Sequence, residues 1–269
     1  MIKLISIDLD GTLLDNKKNI SALNLEAIKR CKEIGIRVVI ATGRPINGVM
    51  PILKKLGLTS NDDYVITYNG AKVFNVGTKT DIFTSTIDGK VVKELYNEAK
   101  RLGVHYHSFR ENEELITVDH NPYTDVEATI NGIEDHIFDY SLINDNDRFI
   151  KTMFVDDSKK IDDSILNVNK KYKEELTMVR SSNIFLEFLN PNSSKGLALE
   201  VLAKHLNIDI NDTMALGDAG NDLPMLLKAG IGVCMENSTP DIKNQVKYIT
   251  DSNEDSGVGK AIFKYVFNK

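Results

Sequence analysis

Two aspartates separated by one residue, Asp8 and Asp10, stand at the end of an apolar run and directly before Gly11. Residues 3–7 read as a strand: they are β-branched or long and apolar almost throughout, which suits a parallel sheet covered on both faces. Open α/β sheets bind their ligands beyond the carboxyl ends of such strands. Two other strand-like runs also end on polar residues, residues 38–41 before Thr42 and Gly43, and residues 213–216 before Gly217 and Asp218. Each feature has an ordinary reading by itself. Asp10-Gly11 is a common turn pair, Thr42-Gly43 can end a strand, and Asp222 before Leu223-Pro224 can cap a helix. Together they are harder to dismiss, because carboxylates converging in a sheet crevice cannot all stay ionised without a cation. Oxygen ligands call for a hard ion, and Mg²⁺ accepts few protein ligands while keeping waters that a phosphate oxygen can replace. Lys195 opens a helical segment, where a cation opposes the helix dipole. It is either part of an anion site or a solvent-facing lysine at a hinge.

The elements that must position these residues follow from periodicity. Ser21 caps a helix carrying Leu23, Ala27, Ile28, Cys31 and Ile34, with Gly35 as its stop. The strand at 38–41, a helix over 48–56 and a strand at 64–68 follow. Alternation of this kind predicts a parallel sheet with right-handed crossovers. Residues 82–188 mix a helix at 90–102 with strands near 105–109, 114–118, 149–155 and 184–188, which predicts an inserted α+β unit. Residues 190–194 read as a return hinge. The first pattern then resumes with helices over 196–206 and 223–229, strands at 213–216, 230–234 and 246–250, and a last helix over 258–266. The expected division is a core of residues 1–82 and 189–269 with an insert of residues 83–188.

Composition narrows the class. The chain has 269 residues, 42% of them hydrophobic and 27% charged, ordinary for a water-soluble protein with a sizeable core. A net charge of -6 argues against a nucleic-acid partner. No apolar stretch is long enough to span a bilayer, and Asp8 and Asp10 interrupt the first apolar run, so neither a membrane partner nor a signal peptide is expected. The expected location is the cytoplasm. Cys31 and Cys234 each lie in an apolar-periodic segment and read as buried, reduced thiols. Nothing in the pattern reports an oligomeric state.

With these residues in view, the chain resembles the haloacid-dehalogenase-like (HAD) phosphatases, and within them the Cof type. The resemblance rests on Asp8-Leu9-Asp10-Gly11-Thr12, on Thr42 in Ala-Thr-Gly-Arg, on Lys195 in Ser-Lys-Gly and on 217–222 (Gly-Asp-Ala-Gly-Asn-Asp), in that order. It extends over the full length, including residues 66–71. It implies a Rossmann-like α/β core with an inserted α+β cap of the C2B type. Asp8 would attack phosphorus and Asp10 would serve as general acid and then base. Mg²⁺ would be held by the Asp8 and Asp218 carboxylates and the Asp10 backbone carbonyl, with Asp222 in support. Thr42, Gly43, Lys195, Asn221 and the Leu9 backbone would hold the phosphoryl oxygens. An acid at Asp10 favours phosphate esters over halides, because halide leaves without a proton.

The resemblance is nearest to sugar phosphatases, and the expected substrate is a small-molecule phosphate ester. The alternatives are a sugar phosphomutase and a non-catalytic sugar-phosphate-binding regulator. In the insert, His105 and His107 alternate on a strand and share one face. A metal pair or a sugar-binding edge is conceivable there, but without a third ligand nearby the expectation is an exposed polar face. Tyr123 and Glu187 either face the substrate or pack.

Overall fold

A computed structural model describes residues 1–268. They fall into two compact units. The first comprises residues 1–43, 50–83 and 194 to the end of the described residues; the second comprises residues 44–49 and 84–193.

The first unit carries β1 (Leu4–Asp8), α1 (Ala22–Glu33), β2 (Arg37–Ala41), most of α2 (Ile46–Leu56), β3 (Tyr64–Thr67), β4 (Lys72–Asn75) and β5 (Thr80–Thr84). In the second unit lie β6 (Ile87–Asp88), α3 (Gly89–Leu102), β7 (His105–Arg110), β8 (Leu115–Thr117), α4 (Pro122–Asn131), β9 (Asp135–Ile137), β10 (Arg148–Val155), α5 (Ser158–Asn167), α6 (Lys170–Glu175), β11 (Thr177–Ser182) and β12 (Phe185–Leu189). The chain then returns to the first unit with α7 (Lys195–His205), β13 (Thr213–Gly217), α8 (Leu223–Lys228), β14 (Ile231–Cys234), α9 (Pro240–Lys243), β15 (Tyr248–Ile249) and α10 (Gly257–Val266).

Among the described residues, the first unit's sheet has eight strands in the order β15-β14-β13-β1-β2-β3-β4-β5. The six from β15 to β3 are parallel, and β4 turns back antiparallel on β3. From β1 the chain winds outward through β2 and β3, and after the insert it restarts at β13 on the other side of β1. Their shared border is a topological switch point, where the connections diverge and leave a crevice. Leu199, Leu202, Met225 and Leu226 of α7 and α8 pack with Leu4, Val39 and Ile66 of the sheet in one apolar core. Ser21 caps α1 by accepting from the Asn24 N–H, and Gly35 ends the segment in the left-handed region at φ +82°. Cys31 and Cys234 are buried free thiols. Among the described residues, no helix is long and apolar enough to cross a membrane.

Expected and observed elements differ at several edges. The strand expected at 246–250 shrinks to two residues, because the Val246 N–H donates into the turn at Lys243. The pairing of β4 with β5 at the sheet's edge was not expected. Its strands are short and carry polar residues that hide the alternation.

The second unit is an α+β layer. Its sheet runs β11-β12-β10-β7-β8-β9, with β6 on β10. One face joins Val92, Leu95 and Ile161 of α3 and α5 to Tyr106, Phe154 and Phe188. On the strands' other side chains sit polar groups, and these too are buried. Lys151 is 1% exposed, with Nζ 3.2 Å from Glu187 Oε1 and 3.4 Å from Glu127 Oε1 of α4. Burial lowers the Lys151 pKa, but the two carboxylates outweigh it and raise the net value.

The exposed polar face expected for His105 and His107 is not found. His107 is fully buried, its Nδ1 3.0 Å from Thr124 Oγ1 and its Nε2 3.1 Å from Met153 Sδ. Burial first, then Lys151, lowers its pKa to about 3, so it is neutral. His105 is partly exposed, 3.6 Å from the Asp119 carboxylate. The covering element is α4, whose first turn is built by Asn121 as N-cap and Pro122 in the first helical positions. Glu187 packs against Lys151.

Removing one partner of a buried charge cluster leaves the others uncompensated, typically at about 3–5 kcal/mol. Lys151→Ala is therefore expected to lower stability by that order in urea unfolding, and by less at pH 5, where a stranded glutamate can take up a proton.

Candidate active site

The register of the sheet assembles the site. Ile7 pairs with both Ile40 and Leu216, and Asp8 pairs with Ala41. The ends of β2, β1 and β13 therefore lie side by side, and Thr42, Asp8 and Asp218 emerge from one edge.

Lys195 enters from α7. Ser194 caps that helix by accepting from the Leu197 N–H, which makes Lys195 its first residue. The ammonium is fully buried and donates to Asp8 Oδ1 at 2.5 Å and to Asp222 Oδ1 at 2.6 Å. The solvent-facing reading of this lysine is thereby excluded. Asp222 occupies the N-cap position of α8 but makes no side-chain cap. Its Oδ2 instead accepts from the backbone N–H groups of Asp218 and Ala219, both at 3.0 Å. Asp218 Oδ1 accepts from Thr12 Oγ1 at 2.7 Å. Gly11 takes a left-handed φ of +83°, and a Cβ there would stand 2.5 Å from Asp218 Oδ2. Both facts require glycine at that turn.

Asp8, Asp218 and Asp222 each present an oxygen, and these oxygens all lie within 4.8 Å of one another. Burial and the neighbouring Asp222 raise the Asp8 pKa well above the usual carboxylate range, although Lys195 opposes them. Asp218 is pushed up to about 6, by burial first and by Asp222, against the Thr12 hydrogen bond. Burial would lower Lys195, but Asp222 and Asp8 prevail and keep it charged. With all four groups ionised, one ammonium against three carboxylates leaves a charge of about -2, which one divalent cation would neutralise. The all-oxygen donor set and the elevated proton affinities fit a hard ion such as Mg²⁺.

The other expected residues surround this cluster. Asp10 does not join the three converging carboxylates; its Oδ1 accepts from Lys18 Nζ at 2.8 Å. Leu9 is buried, and its carbonyl accepts from the Leu14 N–H at 3.0 Å. The Thr42 N–H donates to the Ile66 carbonyl, and the Thr42 carbonyl accepts from the Asn69 N–H at 3.0 Å. A Cβ on Gly43 would lie 3.1 Å from the Asn69 amide, and Asn221 Nδ2 donates to Asn69 Oδ1 at 3.0 Å. Asn69 thus joins Thr42, Gly43 and Asn221, yet the motifs alone did not single it out as a site residue. Its position at the end of β3, in the Asn-Gly pair beside the Thr42 strand end, was the available signal. Tyr68, Asn69 and Gly70 all have positive φ, a backbone cost that recurs at functional sites. Thr12 was likewise not assigned a role.

A family model for haloacid dehalogenase-like hydrolases matches residues 5–262. The chain belongs to this family. A Streptococcus pyogenes serotype M6 protein provisionally named a phosphatase is 38% identical over 271 residues, covering 99% of each chain. The Bacillus subtilis 5-amino-6-(5-phospho-D-ribitylamino)uracil phosphatase YcsE is 31% identical, over 98% of this chain and 96% of that one. The HAD subclass IIB sugar phosphatase BT4131 superposes with a TM-score of 0.81 at 25% identity, over 98% of both chains. This HAD hydrolase is of the Cof type and is a phosphoric monoester hydrolase.

The elevated Asp218 pKa carries a sign. The folded metal-free chain holds the Asp218 proton up to about pH 6, against an ordinary value of 3.8. This group's stabilising contribution is therefore present at low pH and lost as pH rises through that window. Asp218→Asn, measured without metal, is expected to be more stable than wild type at pH 7.5, by up to about 3 kcal/mol. Urea unfolding should show that gap closing towards pH 4.

Proposed function

We propose that the protein is a Mg²⁺-dependent phosphatase of small phosphorylated metabolites, sugar phosphates foremost, acting through an aspartyl-phosphate. The observation that carries this reading is the bridge from Lys195 to both Asp8 and Asp222, with Asp218 within reach of the same point.

In this reading a carboxylate oxygen of Asp8 attacks phosphorus, and the bond from phosphorus to the ester oxygen breaks. The leaving oxygen takes a proton from the Asp10 carboxyl and departs as the alcohol. Asp10, now a carboxylate, takes a proton from water as that water attacks the phosphoryl group, and the bond to Asp8 breaks with release of inorganic phosphate. Lys195 holds the Asp8 carboxylate in one orientation and counters phosphoryl charge. Thr42, Gly43, Asn221 and the Leu9 backbone hold phosphoryl oxygens, with Asn69 bracing Thr42 and Asn221. The Asp8 and Asp218 carboxylates and the Asp10 carbonyl would hold Mg²⁺, with Asp222 orienting Lys195 and the 218–219 backbone. When bound, the ion supplies neutralisation of negative charge on the phosphoryl oxygens. Phosphoryl transfer depends mainly on such positioning and charge balance, so this inventory is chemically sufficient.

The inserted unit is assigned the role of a cap that selects the alcohol portion of the ester. Likeness to a sugar phosphatase and to a phosphatase of a ribityl phosphate supports a polyhydroxylated substrate. Phosphate release should be measured over a panel of sugar phosphates, polyol phosphates and nucleotides. We expect turnover on the first two, loss with chelator, restoration by Mg²⁺, and a fall of at least about a thousandfold in Asp8→Asn. Wild-type turnover in Asp8→Asn would overturn the assignment.

A further inference from the structure

Three side chains able to ligate a metal converge in the second unit, and none belongs to the motifs named above. His120, Asp125 and Asp135 each offer one ligand atom, and these atoms all lie within 4.8 Å of one another. A single crossover brings them together. β8 and β9 are parallel neighbours joined through α4. His120 stands in the turn between β8 and α4, Asp125 lies in the first turn of α4, and Asp135 opens β9. Leu115 pairs with both Phe109 and Asp135, so Asp135 shares a sheet face with Phe109. That is the face α4 covers, where the Lys151 ammonium lies 5.0 Å from the Phe109 ring and 3.4 Å from Glu127.

The turn that carries His120 is anchored on both sides. Thr117 Oγ1 donates to the Asp119 carbonyl at 3.0 Å, and Asn121 Nδ2 donates to the same carbonyl at 3.2 Å. Asn121 Oδ1 accepts from the Thr124 N–H at 2.9 Å. The observation that points to an ion is at Asp135. Its side chain is 15% exposed, and its Oδ2 is buried without a hydrogen-bond partner among the described residues. Buried carboxylate oxygens are ordinarily paired. His120 Nδ1 stands 3.4 Å from this oxygen but makes no hydrogen bond to it. Two ligands, each about 2.0–2.1 Å from one tetrahedral ion, stand about 3.4 Å apart. One imidazole with two carboxylates is a mixed donor set, which favours Zn²⁺ over Mg²⁺.

We propose that His120 Nδ1, Asp125 and Asp135 Oδ2 form a Zn²⁺ site that fastens the start of α4 to β9, with water completing the coordination. β9 has three residues and, among the described strands, pairs only with β8. The ion gives this edge strand a second attachment. All three ligands belong to the second unit, whereas Asp8, Asp218 and Asp222 belong to the first.

The test is equilibrium dialysis of the full metal-freed chain against Zn²⁺ in excess Mg²⁺, for wild type, His120→Ala, Asp125→Asn and Asp218→Asn. The last variant removes a carboxylate of the first unit's cluster. We expect wild type and Asp218→Asn to bind Zn²⁺ alike. His120→Ala and Asp125→Asn should bind it about a hundredfold more weakly or worse, since even the loss of a group supporting a ligand costs about 10–100-fold. Both replaced residues are exposed, so the variants are expected to fold. Zn²⁺ should raise the thermal midpoint of wild type and leave that of His120→Ala unmoved. Failure of wild type to bind Zn²⁺, equal affinity in His120→Ala and wild type, or binding lost in Asp218→Asn alone would overturn the inference. Each of these outcomes leaves the phosphatase reading intact, because that reading is tested by phosphate release with Mg²⁺.

Discussion

A fully buried ammonium held between two carboxylates, Lys195 between Asp8 and Asp222, is the constraint around which the first unit is arranged. Taking these charges out of water is costly, and their attraction offsets the cost only when the remaining hydrogen-bonding capacity is also met. The local structure supplies it. Asp222 gives up a helix cap in order to bind the backbone of residues 218 and 219. Thr12 satisfies Asp218, and Gly11 leaves out the side chain that would collide with it. The partners come from β1, α7 and the loop after β13, far apart in sequence, so none holds its position unless the whole switch point has formed.

The surplus negative charge of this cluster links structure to chemistry. Carboxylates that repel one another in the folded state hold protons more tightly, as the raised pKa of Asp8 and of Asp218 reflects. The second unit shows the contrasting arrangement. Its buried Lys151 also lies between two carboxylates, Glu127 and Glu187, but on a sheet face covered by α4. Similar charge groupings thus occur in both units. What separates them here is placement at the carboxyl ends of parallel strands.

Much of the first unit was legible because its strands are uninterrupted apolar runs broken by glycine, and because their polar terminal residues stand out against them. Asp8, Thr42 and Asp218 could be named from that contrast. Lys195 could be named but not oriented, since a cation at a helix start is compatible with solvent or with a buried anion, and only the partners decide. Asn69 and Thr12 were missed as site residues for a different reason. Their importance lies in which neighbours they touch, and periodicity reports burial, not direction. His107 was misread because its covering helix, α4, begins Asn-Pro and resembles a turn.

The insert leaves the first unit after β5 and returns just before α7. Asp8, Asp10, Thr42, Lys195, Asp218 and Asp222 all belong to the first unit. Descendants of such a gene can therefore rewrite about a hundred intervening codons, in length or in composition, while inheriting the first unit's cluster of carboxylates and lysine unchanged. The second unit can then diverge within one long intervening stretch, although six of its residues, 44–49, stay embedded in the first unit's part of the sequence.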